Sequence, residues 1–480
     1  MKSNKARNIT FCIALVINLL VLANNFLHNP EVGYDAQEHL DYISTLHNHL
    51  PTVNDTAEYY SPPLPYFLPS LVDKVCLQSN PTGNCQFIDG KFAQFINLLL
   101  SIGITLILLK LAELLKPGNE FFKISLLSFL GILTVYYKTF AQVRGEPYVA
   151  FFVVLITYQI ARLVKSSSLS WWKETIALGL SMGALDLSRQ WGIFLLPAIL
   201  ALALLIFIKN RSKGLEIGRI ILPAFVIAFF ASGWFYLHNY LAYGSLTPFN
   251  ISHQGFSFSN EPPSFYSKGF NNPDLYTSPV RGTFNNEFVP TFYSETWGDY
   301  WGYWVFIREP TLSLPYMTNR PKINTTLGPI NFAELVPMLH ADGDQVTAFL
   351  GRVNLISLFP TLLLVGGVLA GIYYAFRYLL TSEKDQNQAL YSFVLFGLLF
   401  SMAGYMWFLI SYPSSRGATI KATYMIQVFM LLPILGAEML DVFRRLNKYV
   451  YVVISLLLLV VFLLNFPVFI TRYWWFIPGS

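Results

Sequence analysis

The chain has 480 residues and a net charge of +5; 54% of its residues are hydrophobic and 12% charged, at a mean hydropathy of +0.47. A soluble protein carries about 25% charged residues, so this composition excludes an ordinary soluble domain and requires an apolar solvent around much of the surface. The modest positive charge is not a nucleic-acid signal, because the basic residues track the ends of apolar segments, and no nucleic-acid partner is expected.

The chain opens with Lys2, Lys5 and Arg7, then an apolar run from Ile9 to Leu27. That run is long enough to cross about 30 Å of hydrocarbon. No small-residue cleavage site follows it, so it reads as a signal anchor.

Directly after it comes Gly33-Tyr34-Asp35-Ala36-Gln37-Glu38-His39-Leu40-Asp41-Tyr42, three carboxylates and a histidine in ten residues. A helix starting near Tyr34 sets Asp35, Glu38, His39 and Tyr42 at i, i+3, i+4 and i+7 on one face. Ala36, Leu40, Ile43, Leu46 and Leu50 make an apolar face. The pattern predicts an amphipathic helix along the membrane surface. Asp35 in its first turn is open to two readings, a helix cap or a chemical group.

Glu58-Tyr59-Tyr60-Ser61-Pro62-Pro63-Leu64-Pro65-Tyr66-Phe67 follows, its prolines fixing an extended entry into an apolar helix that runs to about Val75. Cys76 and Cys85 flank a turn-prone polar loop. A disulfide Cys76–Cys85 is expected if that loop is extracytoplasmic, two free thiols otherwise. Cys12 lies in the first apolar run as packing.

Further spans read as 92–115, 123–141, 147–164, 174–189, 191–208, 219–242, 353–378, 390–411, 420–440 and 449–470, eleven in all. The expected fold class is an all-α integral membrane protein with two long extracytoplasmic loops. Its parts are an N-terminal module, 1–242, whose first outer loop is 28–91; an outer loop or cap, 243–352; and C-terminal helices, 353–480. With the N-terminus cytoplasmic, the cytoplasmic ends collect Lys2, Lys5, Arg7, Lys110, Lys116, Lys123, Arg162, Lys165, Lys173, Lys209, Arg211, Lys213, Arg219, Arg377, Lys384, Arg444, Arg445 and Lys448, more than half of the 32 basic residues, as the positive-inside rule asks. The C-terminal Arg472, Tyr473, Trp474 and Trp475 then end outside as an aromatic belt.

Five basic residues break that rule at outer connections: Lys138, Arg144, Arg189, Arg416 and Lys421. Charges at such boundaries mark sites, and a lipid phosphate held by charge-assisted hydrogen bonds supplies a reason for them. Snorkelling or local ion pairs, such as Arg144 with Glu146, are the alternative for each. In the long outer loop, Glu295-Thr296-Trp297-Gly298-Asp299-Tyr300-Trp301-Gly302-Tyr303-Trp304 sets aromatics beside acids. Trp297 and Asp299 suit sugar recognition, and an interfacial belt equally. Asn54, Asn250 and Asn324 head Asn-x-Ser/Thr sequons, which matter only if the cell glycosylates them.

The acidic motif after the first span, followed by the Pro-Pro-Leu-x-Tyr element, resembles the polytopic glycosyltransferases of the GT-C superfamily, in particular the group that includes the aminoarabinose transferases of lipid A, and the protein O-mannosyltransferases. The resemblance is carried by residues 30–75 and by topology over 1–242. It implies a GT-C fold and transfer of a sugar, hexosyl or pentosyl, from a polyprenyl-phosphate donor to an acceptor hydroxyl, with inversion. The acceptor would be a glycan, a lipid or a protein. Asp35 maps to the family's loop aspartate; the family's adjacent Glu is Ala36 here, so Glu38 is the candidate second carboxylate. Arg189 matches a basic position between the fifth and sixth spans.

The chemistry agrees with that expectation. Attack by a hydroxyl needs a base, and a carboxylate at a dehydrated boundary is expected to have a raised pKa. A departing phosphate needs positive donors. Asp35 and Glu38 are the catalytic candidates, and His39, Glu58, Tyr60, Trp297 and Asp299 face the acceptor. Lys138, Arg144, Arg189, Arg416 and Lys421 hold lipid phosphate. No cofactor is required, a divalent metal on Asp35, Glu38 and His39 being the option left open. The expected location is the plasma (inner) membrane with the site on its outer face, or the endoplasmic reticulum in a eukaryote. A transporter or flippase of an amphiphile is the rival reading; it calls for midplane charges and an internal repeat, and no repeat is found. A non-enzymatic assembly subunit is the third.

Overall fold

The computed structural model describes residues 3–79, 84–166, 170–304, 323–325, 328–330, 332–381, 385–414 and 417–471, with the backbone alone for 323–345. Arg416 and the C-terminal residues 472–475 lie outside the described residues.

The N-terminal module holds α1 (Ser3–Leu27), α2 (Ala36–Leu46), α3 (Leu64–Ser79), α4 (Cys85–Leu115), α5 (Glu120–Gly131), α6 (Thr134–Ala141), α7 (Glu146–Lys165), α8 (Trp171–Asp186), α9 (Leu196–Lys209) and α10 (Arg211–Tyr243). The segment after α10 carries the short helices α11 (Pro263–Ser267) and α12 (Phe288–Trp297), then a hairpin of β1 (Ile323–Thr325) and β2 (Gly328–Ile330) with Ile323 opposite Ile330. The chain ends in α13 (Phe332–Leu380), α14 (Gln386–Ser411), α15 (Ile426–Leu446) and α16 (Lys448–Asn465).

Among the described residues, nine helices are long and apolar enough to cross a membrane, and a bent pair makes ten. The eleven expected spans therefore meet two local differences. The segment read as 123–141 breaks between α5 and α6, which meet at 64°. Leu133 turns extended, and α6 swings inward so that Thr134 Oγ1 donates to the Trp297 carbonyl at 2.6 Å. The segment read as 174–189 is the 16-residue α8, about 24 Å at 1.5 Å per residue, short of the hydrocarbon thickness.

Lipid tails supply no hydrophobic drive between helices, so packing depends on close approach. Gly179 and Gly183, one turn apart on α8, permit it: a Cβ at either would stand 2.7 Å from Ile227 or Ala231 of α10. The core runs through the whole bundle, from Ile17 and Ile104 to Leu435 and Phe469.

The bundle has two polar poles. At one, α4, α7, α9, α13 and α15 end together. There Glu438 accepts from Tyr374 at 2.8 Å and Tyr391 at 2.6 Å and pairs with Lys116 and Arg445, each at 3.1 Å. Asp441 pairs with Arg444 at 2.9 Å. This is the pole to which the lysines and arginines were assigned. The opposite pole holds the α1–α2, α6–α7, α8–α9 and α14–α15 connections, and the disulfide Cys76–Cys85 closes there as expected.

Glu438 is buried where four helices meet, so Glu438→Ala strips a partner from Lys116, from the half-buried Tyr374 and from the buried Tyr391. Breaking a buried pair costs about 3 kcal/mol or more. The expected outcome is a lowered thermal midpoint in detergent, with Glu438→Gln, which keeps one oxygen to accept a phenol hydrogen bond, falling between the two.

Candidate functional site

The site begins where α1 gives way to α2. Gly33 has φ +154° and Asp35 has φ 54°, ψ 31°, a left-handed conformation that Asp tolerates better than most residues. Asp35 occupies the N-cap position, yet its side chain makes no capping hydrogen bond. The carboxylate instead accepts from Lys421 Nζ at 2.8 Å. Of the two readings of Asp35, the structure thus discards the cap. A strained backbone residue held away from its local role is the kind of outlier found at functional positions.

Tyr34 points the other way and is buried. Its hydroxyl donates to Glu295 of α12, and Lys138 Nζ meets Glu295 Oε1 at 2.6 Å. Lys138 also donates to the carbonyls of Glu295 at 2.6 Å and Gly298 at 2.8 Å. All three ammonium hydrogens of Lys138 are thereby taken by protein acceptors. The rings of Tyr34 and Tyr424 form a cation cradle: Arg144 stands 5.3 Å from each, and Lys421 stands 5.0 Å from Tyr34 and 5.3 Å from Tyr424.

Behind this front lies a buried chain of ions. Arg144 pairs with Glu146 at 3.0 Å, Glu146 with Arg189 at 3.2 Å, and Arg189 with Glu58 at 2.8 Å. Glu58 also accepts from Tyr60 at 2.9 Å and from Ser61, which in turn meets Arg189. Gln190 Nε2 donates to the Tyr60 carbonyl at 3.0 Å. His39 Nδ1 lies 2.9 Å from the Tyr66 hydroxyl and 3.8 Å from Glu58, and its Nε2 is buried without a hydrogen-bond partner. Gly145 lets the α6–α7 turn close onto the Ser188 carbonyl, where a Cβ would clash.

Three carboxylates, Asp35, Glu58 and Glu146, thus face three cations, Arg144, Arg189 and Lys421. The Arg189 and Glu58 side chains are 3% and 1% exposed, whereas Asp35 is 41% and Lys421 12% exposed. The open pair is Asp35–Lys421; the rest is an enclosed platform. Burial favours a neutral Asp35, but Lys421 at hydrogen-bond distance and Arg144 behind it hold the carboxyl well below its usual range. The raised pKa expected from the sequence is corrected: partial dehydration is outweighed by a contact ion pair. Glu58 is likewise held down, to about 2, its burial outweighed by Arg189 and His39. Burial pushes His39 down to about 4, so its imidazole is neutral.

The structure brings together Asp35, His39, Glu58, Tyr60, Arg144, Arg189 and Lys421 from five separate stretches of chain. Glu38 sits half-buried on α2, its carbonyl accepting from Thr56 at 2.7 Å. Trp297 and Asp299 are buried in the cap, and both Asp299 oxygens accept from the Trp304 amide, at 3.1 and 3.2 Å. His39, Glu58 and Tyr60 are also buried, so the five residues expected to face an acceptor present no open surface here. Among the described residues no group of three or more His, Cys, Asp or Glu is arranged to hold a metal ion; Asp35 turns to Lys421 and His39 to Tyr66. Tyr34, Ser61, Tyr66, Glu146 and Tyr424 were not named from sequence as site residues, although Tyr34, Ser61 and Tyr66 stand in the stretches 33–42 and 58–67 and Glu146 lies two residues from Arg144.

Beside Arg189, the wall of Tyr60, Ser61, Pro62, Gln190 and Trp191 leads to a small open groove. Trp191, Phe194, Phe249, Trp407, Phe408 and Tyr412 line it, and Ile193 and Trp407 are 46% and 45% exposed at its edge.

No family model matches the sequence, and no curated protein matches it. Two solved structures show a distant likeness. One is ArnT from Cupriavidus metallidurans bound to undecaprenyl phosphate, with TM-score 0.43 and 13% identity over 90% of this chain and 59% of that one. The other is the archaeal oligosaccharyltransferase AglB from Archaeoglobus fulgidus in complex with an inhibitory peptide and a dolichol-phosphate, with TM-score 0.47 and 13% identity over 96% and 56%. The chain spans under two thirds of the length of either. At those TM-scores the likenesses decide neither fold nor function.

Two outcomes are expected. His39 resists protonation in the fold down to about pH 4, against 6.5 for the free side chain. The unfolded chain therefore takes up that proton first, and stability falls as pH drops from 6.5 to 4. Asp35 and Glu58, depressed in the fold, keep their full contribution above the ordinary carboxylate range and lose it as pH falls further. Thermal midpoints from pH 7.5 to 3 should show both legs, and His39→Gln should flatten the first. Arg189→Ala leaves Glu58 and Glu146 buried without their shared partner, at a cost of about 3–5 kcal/mol; loss of the monodisperse folded protein in size-exclusion chromatography is the readout.

Proposed function

We propose that the protein is a glycosyltransferase that moves a sugar from a polyprenyl-phosphate donor to an acceptor hydroxyl at the outer face of the membrane, with inversion. The observation that carries this is the half-exposed Asp35–Lys421 pair, set over a cation cradle at the pole opposite the lysine- and arginine-rich one. The sequence resemblance over residues 30–75 supplies the reaction class. The disulfide on the same pole supports an oxidising, extracytoplasmic setting.

In this reading the two charges of the open pair part when the donor binds. The donor phosphate draws Lys421, with Arg144 behind it, and Asp35 loses the partner that suppressed its basicity. The acceptor oxygen attacks the anomeric carbon as the bond from that carbon to the phosphate oxygen breaks. Its electron pair leaves with the polyprenyl phosphate, stabilised by the cations. Asp35 takes the hydroxyl proton. Glu58, Glu146 and Arg189 hold Arg144 and the Pro62–Pro63 entry in place, and Lys138 and Glu295 hold Tyr34. The aromatic groove beside Arg189 is of a kind to accept the isoprenoid chain. Sugar and acceptor both enter at Asp35.

The test is incubation of purified protein with a labelled polyprenyl-phosphate sugar and an envelope acceptor fraction. Asp35→Asn keeps the left-handed turn and removes the base, and a loss of about 10²–10⁴-fold in transfer is expected. Lys421→Met should weaken donor binding. Equal transfer by wild type and Asp35→Asn removes Asp35 as base. Donor translocation by both, with no transfer by either, favours the flippase reading.

A further inference from the structure

The segment that follows α10 is unusual for an outer loop. Between Gly244 and Pro273 the chain carries only two residues charged at neutral pH, Glu261 and Lys268. Glu261 is buried and held by Asn286, so Lys268 alone of the two is exposed. In the same stretch Leu246, Phe256, Phe258, Tyr266 and Phe270 are exposed, Phe258 by 66%. A water-facing loop of this length with one exposed formal charge and five large apolar side chains presents a patch that calls for a partner.

The segment is two-faced and fixed. Phe265 is buried against Phe288, and Phe249 packs on Tyr60 and Phe408. The outward rings touch one another, Phe256 with Phe258 at 5.2 Å and Phe258 with Tyr266 at 6.0 Å. Gln254 N donates to the Ser411 carbonyl at 3.0 Å, and Asn260 Nδ2 to the Ile410 carbonyl at 2.9 Å and the Gly255 carbonyl at 2.7 Å. Ile410 and Ser411 are the last residues of α14, and the segment leaves directly from Tyr243, the last of α10. Both helices are candidate membrane spans. The ring cluster is therefore tethered to two helix ends on one side of the bilayer.

The patch is also continuous with lipid-facing surface. On the last turns of α10, Trp234, Leu237, Tyr240 and Leu241 are exposed, and Leu246 extends that stripe into the segment. Side chains exposed on a spanning helix face hydrocarbon. Aromatic rings with hydroxyl or carbonyl partners favour the headgroup level, where one end is apolar and the other wet; Tyr266 fits, its hydroxyl donating to the Phe258 carbonyl at 3.1 Å.

We propose that residues 246–270 form an interfacial arm, with Phe256, Phe258 and Tyr266 resting at the boundary between headgroups and acyl chains of the leaflet beside the candidate site. The partner is bilayer lipid, recognised by an uncharged aromatic surface. The arm contributes Thr247 and Phe249 to the aromatic groove, so its insertion sets that groove at the leaflet surface. The proposal rests on the membrane-spanning bundle, not on the glycosyl-transfer reading.

The test is site-directed spin labelling of the full chain in phosphatidylethanolamine–phosphatidylglycerol nanodiscs. Exposed Cys12 is changed to Ser, and Cys76–Cys85 stays oxidised. Labels go singly at Phe256, Phe258 and Tyr266, with Leu241 as the lipid reference and His49 as the aqueous one. The expected result is an oxygen-to-nickel accessibility ratio several-fold above that at His49 and approaching that at Leu241, at all three positions. Ratios equal to that at His49 overturn the proposal, as does immobilisation by a second copy or a protein partner with no rise in oxygen access. Three independent positions guard against one variant failing to fold. Hydroxyl-radical footprinting of the wild-type chain gives the same decision: Phe256 and Phe258 protected in nanodiscs supports the arm, and full labelling overturns it.

Discussion

Arg189 is the residue on which the pole opposite the lysine- and arginine-rich one depends. Its guanidinium bridges Glu58, between α2 and α3, and Glu146, at the start of α7. A planar fork with several fixed donors engages two carboxylates in a set geometry, where an ammonium acts as a point charge. With both carboxylates engaged, the desolvation of three ions is offset by contact geometry rather than by water. Glu146 is then placed to hold Arg144, and Arg144 lies under Tyr34 and Tyr424. Remove the bridge and Glu58 is left buried without its arginine while Glu146 keeps only Arg144, so the fold and the site share one support.

That support explains the division between closed and open charge. The platform of Glu58, Arg189, Glu146 and Arg144 is sealed, and the field it sets is fixed before any ligand arrives. Asp35 and Lys421 stand at its edge and remain partly wet. A contact ion pair lowers the pKa of a carboxylate and thereby suppresses it as a base. In the proposed reaction, an anionic ligand that takes the lysine would restore that basicity. The second strut, Lys138 with Glu295, keeps Tyr34 beneath Lys421. It ties the segment after α10 to α6 and accounts for the break that turns α6 inward.

Much of this was legible because membrane burial writes itself into composition. Spans of apolar residues and basic residues gathered at one pole follow from the cost of placing charge or unpaired backbone in hydrocarbon, and the Cys76–Cys85 turn from its polar, turn-prone loop. The rule-breaking basic residues were also readable as polar points, though they were assigned to a lipid phosphate; Lys138, Arg144, Arg189 and Lys421 each meet a protein carboxylate, the alternative given for them. Which partner was not readable. Lys421 lies 386 positions from Asp35 and Lys138 lies 157 from Glu295, and no local pattern reports such pairings. Glu38 drew attention by its spacing beside Asp35, yet the carboxylates joined to the basic platform are Glu58 and Glu146. Helical periodicity describes a face, not what stands opposite it.

The sequence by itself determined that the chain is an α-helical membrane protein and where its apolar segments lie, and it drew attention to residues 33–42 and a few misplaced cations. These are properties of local composition weighed against the solvent. Tertiary structure alone decided that Asp35 leaves its helix cap for Lys421, that its basicity is suppressed rather than enhanced, and that Trp297 and Asp299 are interior. Each depends on distance between residues remote in sequence. Coulombic and desolvation energies vary with that distance and with burial, and neither is a property of a single residue.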